Sequence, residues 1–230
     1  MVLNNIENSK DNNNLERNHL YHIPTDKINE ALEYATTLHY GQVRKDNTEY
    51  IKHPVRVANY ISKLELGKLE QYRNLLIACS YLHDTLEDTY ATYKDIANKF
   101  GNVVASLVLE LTNNKDLKKE VGKTKYLQLK MTNMTDLALI VKLVDRLDNV
   151  KDLVNSNEEF RVKYLKETIE ILNYILDNRE FNEIHINIIN EIKTSIFEII
   201  EQYSYGRFIY SGNLFIVNNK IKEKSLPRHW

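Results

Sequence analysis

Several features that define common classes of protein are missing from this chain of 230 residues. It has one cysteine, Cys79, so it cannot form an internal disulfide, and a reducing compartment fits that composition. The apolar residue Cys79 is expected in the core. The longest clean apolar stretch, at 137–141, is far too short to span a bilayer, and the polar start carries no apolar signal core. We therefore expect a soluble cytoplasmic protein with no membrane partner.

Charge and glycine patterns argue against two further classes of protein, those that bind nucleic acid and those with a glycine-rich phosphate loop. The net charge is −1 and the pI is about 6.7, so the chain has no global basic field that would attract nucleic acid. The sequence contains no glycine-rich phosphate loop of the P-loop or Rossmann kind. Local basic clusters could still bind a phosphorylated small molecule. Hydrophobic residues make up 43% of the chain, which is enough for a sizeable core.

Apolar periodicity predicts an all-α fold. A helix is expected from Thr25, a third helix from about Leu69 to Asp84, and a buried helix at 137–153. Two long amphipathic helices follow at about 158–177 and 182–203. These last helices could also serve self-association, so a homo-oligomeric scaffold stays open as an alternative or additional role.

The composition divides the chain into three parts. Residues 1–24 are Asn-rich and mostly lack apolar periodicity, which predicts a disordered or loose arm. Residues 25–204 are expected to form one helical domain. In the C-terminal extension, 205–230, the apolar segments 208–210 and 214–217 flank Ser-Gly-Asn, and this pattern is typical of a small β-hairpin.

The most informative stretch is LLIACSYLHDTLEDT, at 75–89. An almost wholly apolar helix is predicted to end there in His83, Asp84, Glu87 and Asp88, and residues four apart share a helix face. Burying such groups without a partner costs free energy. One divalent metal ion can offset this cost for the whole set, because it binds several carboxylate and imidazole ligands at once. The alternative is a solvated helix end, although carboxylates there would oppose the helix dipole.

Two residues elsewhere extend this pattern to a ligand set. His53 stands at the predicted start of a helix, and Asp145 follows the apolar run 137–144. With His83 and Asp84 they make a shell of two imidazoles and two carboxylates. Such a shell suits Mn²⁺, Fe²⁺, Zn²⁺ or Mg²⁺ with positions left for water, and we expect Mn²⁺ because hard oxygen ligands accompany the histidines.

The order H…HD…D resembles the pattern of the HD superfamily, and three longer segments resemble the hydrolase domain of the RelA/SpoT alarmone enzymes. ATTLHYGQVRKDNTEYIKHPVRVA at 35–58 is similar to the opening motif of that domain, and LHDTLEDT at 82–89 is nearly its signature. VKLVDRLDNVKDL at 141–153 resembles its last metal-ligand helix. The resemblance covers about 27–175 and includes no synthetase domain, so the chain is similar to the small stand-alone hydrolases of the metazoan SpoT-homologue type.

The resemblance implies a compact HD-domain helical bundle that hydrolyses the 3′-diphosphate of guanosine tetra- or pentaphosphate. The products would be GDP or GTP and pyrophosphate. The metal would activate a water, while Glu87 and Asp88, one turn beyond the ligands, would orient and deprotonate that water or protonate the leaving oxygen. Two alternatives remain open: an HD phosphohydrolase for another nucleotide, such as a 2′-phosphatase of NADPH, and a catalytically silent alarmone-binding domain.

By the same resemblance, residues of the first motif bind the nucleotide. Arg44 is expected to stack on the guanine, Lys45 to contact the nucleotide, and Tyr50 to line the pocket wall. The loop at 46–48 lacks the glycine that the family often has there, which would alter the turn and not the chemistry.

Further candidates for substrate contacts lie later in the chain. Asn149 is expected to hydrogen-bond the nucleotide, and Lys125 and Arg161 could contact phosphate groups, with an ordinary surface charge as the alternative for both. Asp148 stands where many family members have histidine. This departure is expected to affect which substrate the protein prefers.

Overall fold

A computed structural model describes residues 21–203 and the backbone of two short strands, β1 (Leu214–Val217) and β2 (Lys220–Glu223). Helices dominate the described residues, and the predicted all-α fold is confirmed. In this part of the chain, no helix combines the length and the apolar character that a membrane crossing requires. The predicted arm up to residue 20 and the predicted strand at 208–210 lie outside the described residues.

The described residues divide into two compact units. Within the described residues, the first unit contains 21–44 and 48–112, and the second contains 45–47 and 113–203 together with the strand pair. The helices of the first unit are α1 (Thr25–Leu38), α2 (Lys52–Ile61), a 3₁₀ helix (Gly67–Tyr72), α3 (Arg73–Leu82), α4 (Thr85–Asp88), α5 (Tyr93–Phe100) and α6 (Asn102–Leu111).

The apolar helix α3 forms the centre of the first unit. Helices α1, α2 and α6 pack against it, and α5 packs on α6. Leu75, Leu76, Cys79 and Leu82 are fully buried, so Cys79 is the core residue that its neighbours predict. Burial raises the pKa of the Cys79 thiol, which keeps it protonated and inert.

The last residues of the predicted arm are part of this unit. Ile23 is buried, and the side-chain amide of Asn74 donates a 2.8 Å hydrogen bond to the Ile23 carbonyl. The Tyr21 ring meets the Tyr72 ring edge-on, with centroids 5.1 Å apart. Packing on the core therefore begins before Thr25.

The second unit is built around helix α9. Its elements are α7 (Lys115–Val121), α8 (Lys123–Asn133), α9 (Asp136–Lys151), a 3₁₀ helix (Asp152–Asn155), α10 (Glu158–Asn178) and α11 (Glu183–Gln202). Every residue from 138 to 147 is buried, including three charged ones, because α10 and α11 both pack on α9, and α8 packs on α10.

Side-chain caps fix where the helices of the second unit begin. Thr135, Asn157 and Asn182 accept hydrogen bonds from backbone N–H groups in the first turns of α9, α10 and α11. These N–H groups have no partner inside a helix, so each cap stabilises its helix start by about 1 kcal/mol.

A buried ion pair links two helices of this unit. The Arg146 guanidinium lies 3.4 Å from the Glu167 carboxylate and donates a 3.0 Å hydrogen bond to the Thr168 hydroxyl. The Lys123 ammonium lies 3.0 Å from the same carboxylate. Removing one member would leave a buried charge without its partner, so the cluster constrains how α9 and α10 pack.

The strand predicted at 214–217 is present, and it pairs with Lys220–Glu223. The pairing is antiparallel, with Leu214 opposite Glu223 and Val217 opposite Lys220. The strand pair therefore lies later in the chain than the apolar pattern indicates.

His185 makes the stability of the second unit depend on pH. Its ring is fully buried at the start of α11, its Nδ1 accepts from the Asn182 backbone N–H, and its Nε2 donates to the Asp136 carbonyl at 3.0 Å. Burial lowers the pKa of His185 below the ordinary value of 6.5, and the bond to Asp136 offsets part of this effect. The unfolded chain therefore takes up this proton at a higher pH than the folded chain does.

We predict that the free energy of unfolding falls as the pH is lowered through 6.5, and that H185Q weakens this dependence. Glutamine keeps an acceptor for the Asn182 N–H but does not titrate. Urea titrations of both proteins between neutral and mildly acidic pH measure the difference. Identical pH slopes for the two proteins would rule out His185 as the titrating group.

Candidate metal centre

An interruption of the helix at His83 and Asp84 shapes the candidate site. Helix α3 ends at Leu82, two residues earlier than predicted, and the short helix α4 begins at Thr85. Asp84 has φ −102° and ψ −2°, at the edge of the right-handed helical region and away from the ideal helix values. In a continuous helix, neighbouring side chains point about 100° apart. Here the break lets the adjacent side chains of His83 and Asp84 meet, with Nε2 and Oδ2 2.9 Å apart.

The protonation of His83 follows from its other ring nitrogen. Nδ1 lies 2.7 Å from the Ser80 carbonyl oxygen. A carbonyl oxygen only accepts, so Nδ1 carries the hydrogen, and in the neutral ring Nε2 presents a lone pair to Asp84 Oδ2. Two electron-rich atoms therefore lie 2.9 Å apart. Either a proton on Nε2 or a cation that takes both lone pairs relieves this contact.

His53 belongs to the same cluster. It lies in the first turn of α2, is 1% exposed, and its backbone N–H donates to the Tyr50 carbonyl at 3.0 Å. Its ring meets that of His83 edge-to-face, with centroids 5.2 Å apart, and its Nε2 lies 4.0 Å from Asp84 Oδ2. The first unit thus brings together three of the four predicted ligands.

The donor set and its spacing fit a divalent cation. Ligand atoms at about 2.1 Å from one ion lie about 3 Å apart when adjacent and up to about 4.2 Å apart when opposite. The separations of 2.9 Å and 4.0 Å that Asp84 Oδ2 makes with His83 and His53 fall in this range. The cluster of buried imidazoles with a carboxylate could therefore hold one divalent metal ion.

Tyr50 contacts the carboxylate of this cluster. Its hydroxyl donates a 2.5 Å hydrogen bond to Asp84 Oδ2, the oxygen that faces His83. The sequence predicts Tyr50 in the pocket wall but gives no indication of this hydrogen bond. No local signal could have revealed it, since the two residues are 34 positions apart.

The two predicted acid–base residues follow on helix α4. Glu87 is half-buried and Asp88 is exposed, and their backbone N–H groups both donate to the Asp84 carbonyl, at 3.2 and 2.9 Å. The side-chain amide of Gln42 donates to the Asp88 carbonyl at 2.9 Å, and its oxygen accepts from Nδ1 of the buried His39 at 2.8 Å. The end of α1 is thereby tied to the segment that carries both acids.

Asp145, the fourth predicted ligand, lies on α9 in the second unit. It is 7% exposed, and two residues of the same helix face hold it. Lys142 Nζ lies 2.8 Å from Oδ2, and the Asn149 amide donates to Oδ1 at 2.6 Å and to the Asp145 carbonyl at 3.0 Å. Lys142 is not among the residues predicted from the sequence, although its spacing of three from Asp145 on a helix was a usable signal. Asn149, predicted to contact the nucleotide, here orients this carboxylate.

The loop that carries Arg44 is closed by backbone bonds. The Arg44 N–H donates to the Thr48 carbonyl at 2.8 Å, and Val43 pairs with Glu49 as an antiparallel bridge. Asn47 has φ +64°, a left-handed conformation that asparagine tolerates better than most residues. Asn47 therefore makes the turn without the glycine that the family often has.

The three remaining candidates lie in the second unit. Lys45 is exposed, with its ammonium 3.2 Å from the centre of the Phe160 ring. Lys125 is also exposed, 4.5 Å from the Tyr174 ring centre. Arg161 is 6% exposed, and its guanidinium donates to the carbonyls of residues 153 and 156, which favours a structural role over a phosphate contact.

Comparisons with known proteins agree with this geometry. The profile of the HD domain matches residues 31–180. The chain is 40% identical over 163 residues to the guanosine-3′,5′-bis(diphosphate) 3′-pyrophosphohydrolase of Aquifex aeolicus (strain VF5), covering 66% of this chain and 22% of that protein. It is 31% identical over 205 residues to the protein of the same name from Spiroplasma citri, covering 87% and 26%. The chain thus spans about a quarter of the length of these curated relatives.

A solved structure is similar over nearly its whole length. It is a metazoan ortholog of SpoT that is described as hydrolysing ppGpp and playing a role in starvation responses. The TM-score is 0.62 at 27% identity, covering 79% of this chain and 97% of that one. These relatives confirm the resemblance to the RelA/SpoT hydrolases. Since the HD-domain match extends over more than half of the chain, the protein belongs to the HD-domain family.

Proposed function

We propose that this chain is a metal-dependent phosphohydrolase that removes the 3′-diphosphate of guanosine tetra- and pentaphosphate, releasing pyrophosphate and leaving GDP or GTP. The contact that carries the proposal is the 2.9 Å approach of His83 Nε2 to Asp84 Oδ2, which a shared cation would stabilise. The substrate is inferred from relatives named as pyrophosphohydrolases of guanosine-3′,5′-bis(diphosphate).

The proposed ligands are His53, His83, Asp84 and Asp145, and the proposed ion is Mn²⁺. Within the first unit, Asp84 Oδ2 lies 2.9 Å from His83 Nε2 and 4.0 Å from His53 Nε2, separations that suit ligands of one ion. Asp145 is proposed as the fourth from its place in the H…HD…D order, and its burial and fixed orientation support that role. Mixed nitrogen and oxygen ligands suit Mn²⁺.

When bound, the ion would act as a Lewis acid and make water a stronger nucleophile near neutral pH. Glu87 and Asp88 are proposed to hold and move the protons of the reaction. Their helix begins directly after Asp84, and the Gln42 amide fixes its end by binding the Asp88 carbonyl. One carboxylate would take the proton from the attacking water, and the other would give a proton to the departing 3′-oxygen.

Nucleotide binding is proposed to involve the loop of the first motif. Arg44 lies in a turn that backbone hydrogen bonds hold in place. A side chain anchored in this way suits stacking on a purine ring. Lys45 and Lys125 are exposed residues whose ammonium groups could meet phosphate charge. Tyr50 and Asn149 each bind a proposed ligand carboxylate, so their contribution to the pocket is made through that carboxylate.

Mn²⁺ is expected to stabilise the folded protein. At a concentration one hundred times its dissociation constant, a ligand that binds only the folded state adds about 2.7 kcal/mol. Thermal unfolding of metal-stripped protein, with and without added Mn²⁺, measures the gain. H83Q should lose most of it, because glutamine cannot present the same nitrogen lone pair.

The matched control is H22Q, which makes the same exchange at an exposed histidine of the first unit. It should keep the full thermal shift. If H83Q and H22Q both shift as the wild type does, Mn²⁺ binds elsewhere and the proposed ligand set is wrong.

Pyrophosphate release from guanosine tetraphosphate is expected with Mn²⁺ and not after chelation. D84N should reduce turnover to the metal-free level, since the amide has the same shape but lacks the charge that holds a cation. Assays of pyrophosphate and free phosphate on a panel that includes NADPH identify the substrate. Efficient phosphate release from NADPH without turnover of guanosine tetraphosphate would overturn the proposed substrate.

Acid–base catalysis by the α4 carboxylates is tested separately from metal binding. E87Q and D88N should each lower kcat by roughly a hundredfold or more, while the thermal shift with Mn²⁺ stays at the wild-type value. Measuring kcat and the Mn²⁺ shift on the same preparations separates the two roles. A variant that keeps wild-type kcat has no part in proton transfer.

A further inference from the structure

The hydrogen bond between Tyr50 and Asp84 suggests a residue that controls the metal site without binding the metal. The Tyr50 hydroxyl donates to Oδ2 at 2.5 Å, and the same oxygen faces His83 Nε2 at 2.9 Å. A hydrogen bond from a neutral hydroxyl to a charged carboxylate is among the stronger kinds, and 2.5–2.7 Å is its ordinary range. Asp84 is therefore held at an oxygen that lies within 4.0 Å of both imidazoles.

Contacts on two sides hold Tyr50 itself in place. Its ring packs against that of the buried His39, with centroids 4.7 Å apart and planes at 32°. Its backbone N–H donates to the Gln42 carbonyl at 3.0 Å, and its own carbonyl accepts from the His53 N–H at 3.0 Å. Tyr50 therefore connects the end of α1 to the residue that begins the ligand set.

Asp84 needs such a constraint because of where it lies. It occupies the interruption between α3 and α4, and its side chain is 16% exposed, whereas His53 and His83 are nearly inaccessible. A carboxylate at a helix interruption can rotate its oxygens toward solvent, and fixing it beforehand removes that entropic cost from ligand binding. Outer hydrogen bonds to metal ligands act in this way.

We infer that Tyr50 is a positioning residue: its hydroxyl fixes Asp84 Oδ2 toward the His53–His83 pair and so sets the affinity of this cluster for a divalent cation. The inference rests on the proposed function, because it deepens the role of the same site. It assigns Tyr50 to the metal and not to the nucleotide, in contrast to the pocket-wall role that the sequence predicts.

The test is Y50F, which removes only the hydroxyl and keeps the ring that packs on His39. Its dissociation constant for Mn²⁺, measured by electron paramagnetic resonance on metal-stripped protein, should rise by roughly tenfold or more. Turnover of guanosine tetraphosphate at saturating Mn²⁺ should recover most of the wild-type kcat, with KM for the nucleotide unchanged. A loss confined to KM would instead assign Tyr50 to the nucleotide and overturn the inference.

A purely structural effect of losing a hydroxyl is tested with Y34F. Tyr34 is another half-buried tyrosine of the first unit, and its ring packs on Phe100 with centroids 5.7 Å apart. This variant should bind Mn²⁺ as the wild type does. If Y34F weakens Mn²⁺ binding as much as Y50F, the effect comes from the fold and not from Asp84.

A double-mutant cycle tests whether Tyr50 acts through Asp84. D84N is expected to bind Mn²⁺ only weakly, so the cycle is measured at Mn²⁺ concentrations high enough to detect that residual affinity. In this background Y50F should cause no further change in the dissociation constant, because the atom that the hydroxyl holds has lost its charge. Additive effects would overturn the inference. Failure of the proposed function gives a different result: the wild type itself would bind no Mn²⁺, and both ideas would fall. Wild-type binding with an unchanged Y50F refutes the role of Tyr50 alone.

Discussion

The candidate site depends on one contact, the approach of the His83 imidazole to the Asp84 carboxylate. The Ser80 carbonyl accepts a hydrogen bond from Nδ1–H of His83. In the neutral imidazole, Nε2 therefore has a lone pair and no hydrogen to offer Asp84. Two neighbouring residues could not meet in this way on an uninterrupted helix, so the break after Leu82 is part of the site. The apolar burial of α3 stabilises the backbone on one side of that break, which lets an otherwise unfavourable contact persist.

Each unit holds one proposed ligand carboxylate by its own means. In the first unit, a neutral phenol from Tyr50 binds Asp84. In the second, the Lys142 ammonium and the Asn149 amide hold one oxygen each of Asp145. The difference follows from the surroundings: Asp145 lies within a helix that is buried along ten consecutive residues, where a carboxylate requires a cation close by. Asp84 lies at a helix end with partial access to solvent, and the Tyr50 hydroxyl donates to it there.

Local patterns in the sequence predicted most of the fold. Apolar periodicity located the long helices, and the core positions around Cys79 followed from the same pattern. Sequence could also have revealed the Lys142–Asp145 pair, since the residues are three apart on a helix. It could not reveal the Tyr50–Asp84 bond, which joins residues 34 positions apart, nor the early end of α3, because His and Asp are compatible with a helix terminus or its interior. Such features arise from tertiary packing and not from the local pattern of residues.

The two ways of holding a carboxylate also imply unequal contributions to cation binding. Part of the charge of Asp145 is already balanced by Lys142, so a cation placed on it gains less Coulombic energy and competes with an ammonium. The charge of Asp84 instead faces an imidazole lone pair, and a cation there relieves a repulsion as well as gaining an attraction. A bound cation should therefore gain more at Asp84 than at Asp145. If so, the orientation of Asp84 Oδ2 affects cation affinity, and the Tyr50 hydroxyl that donates to this oxygen is a contact on which that orientation depends.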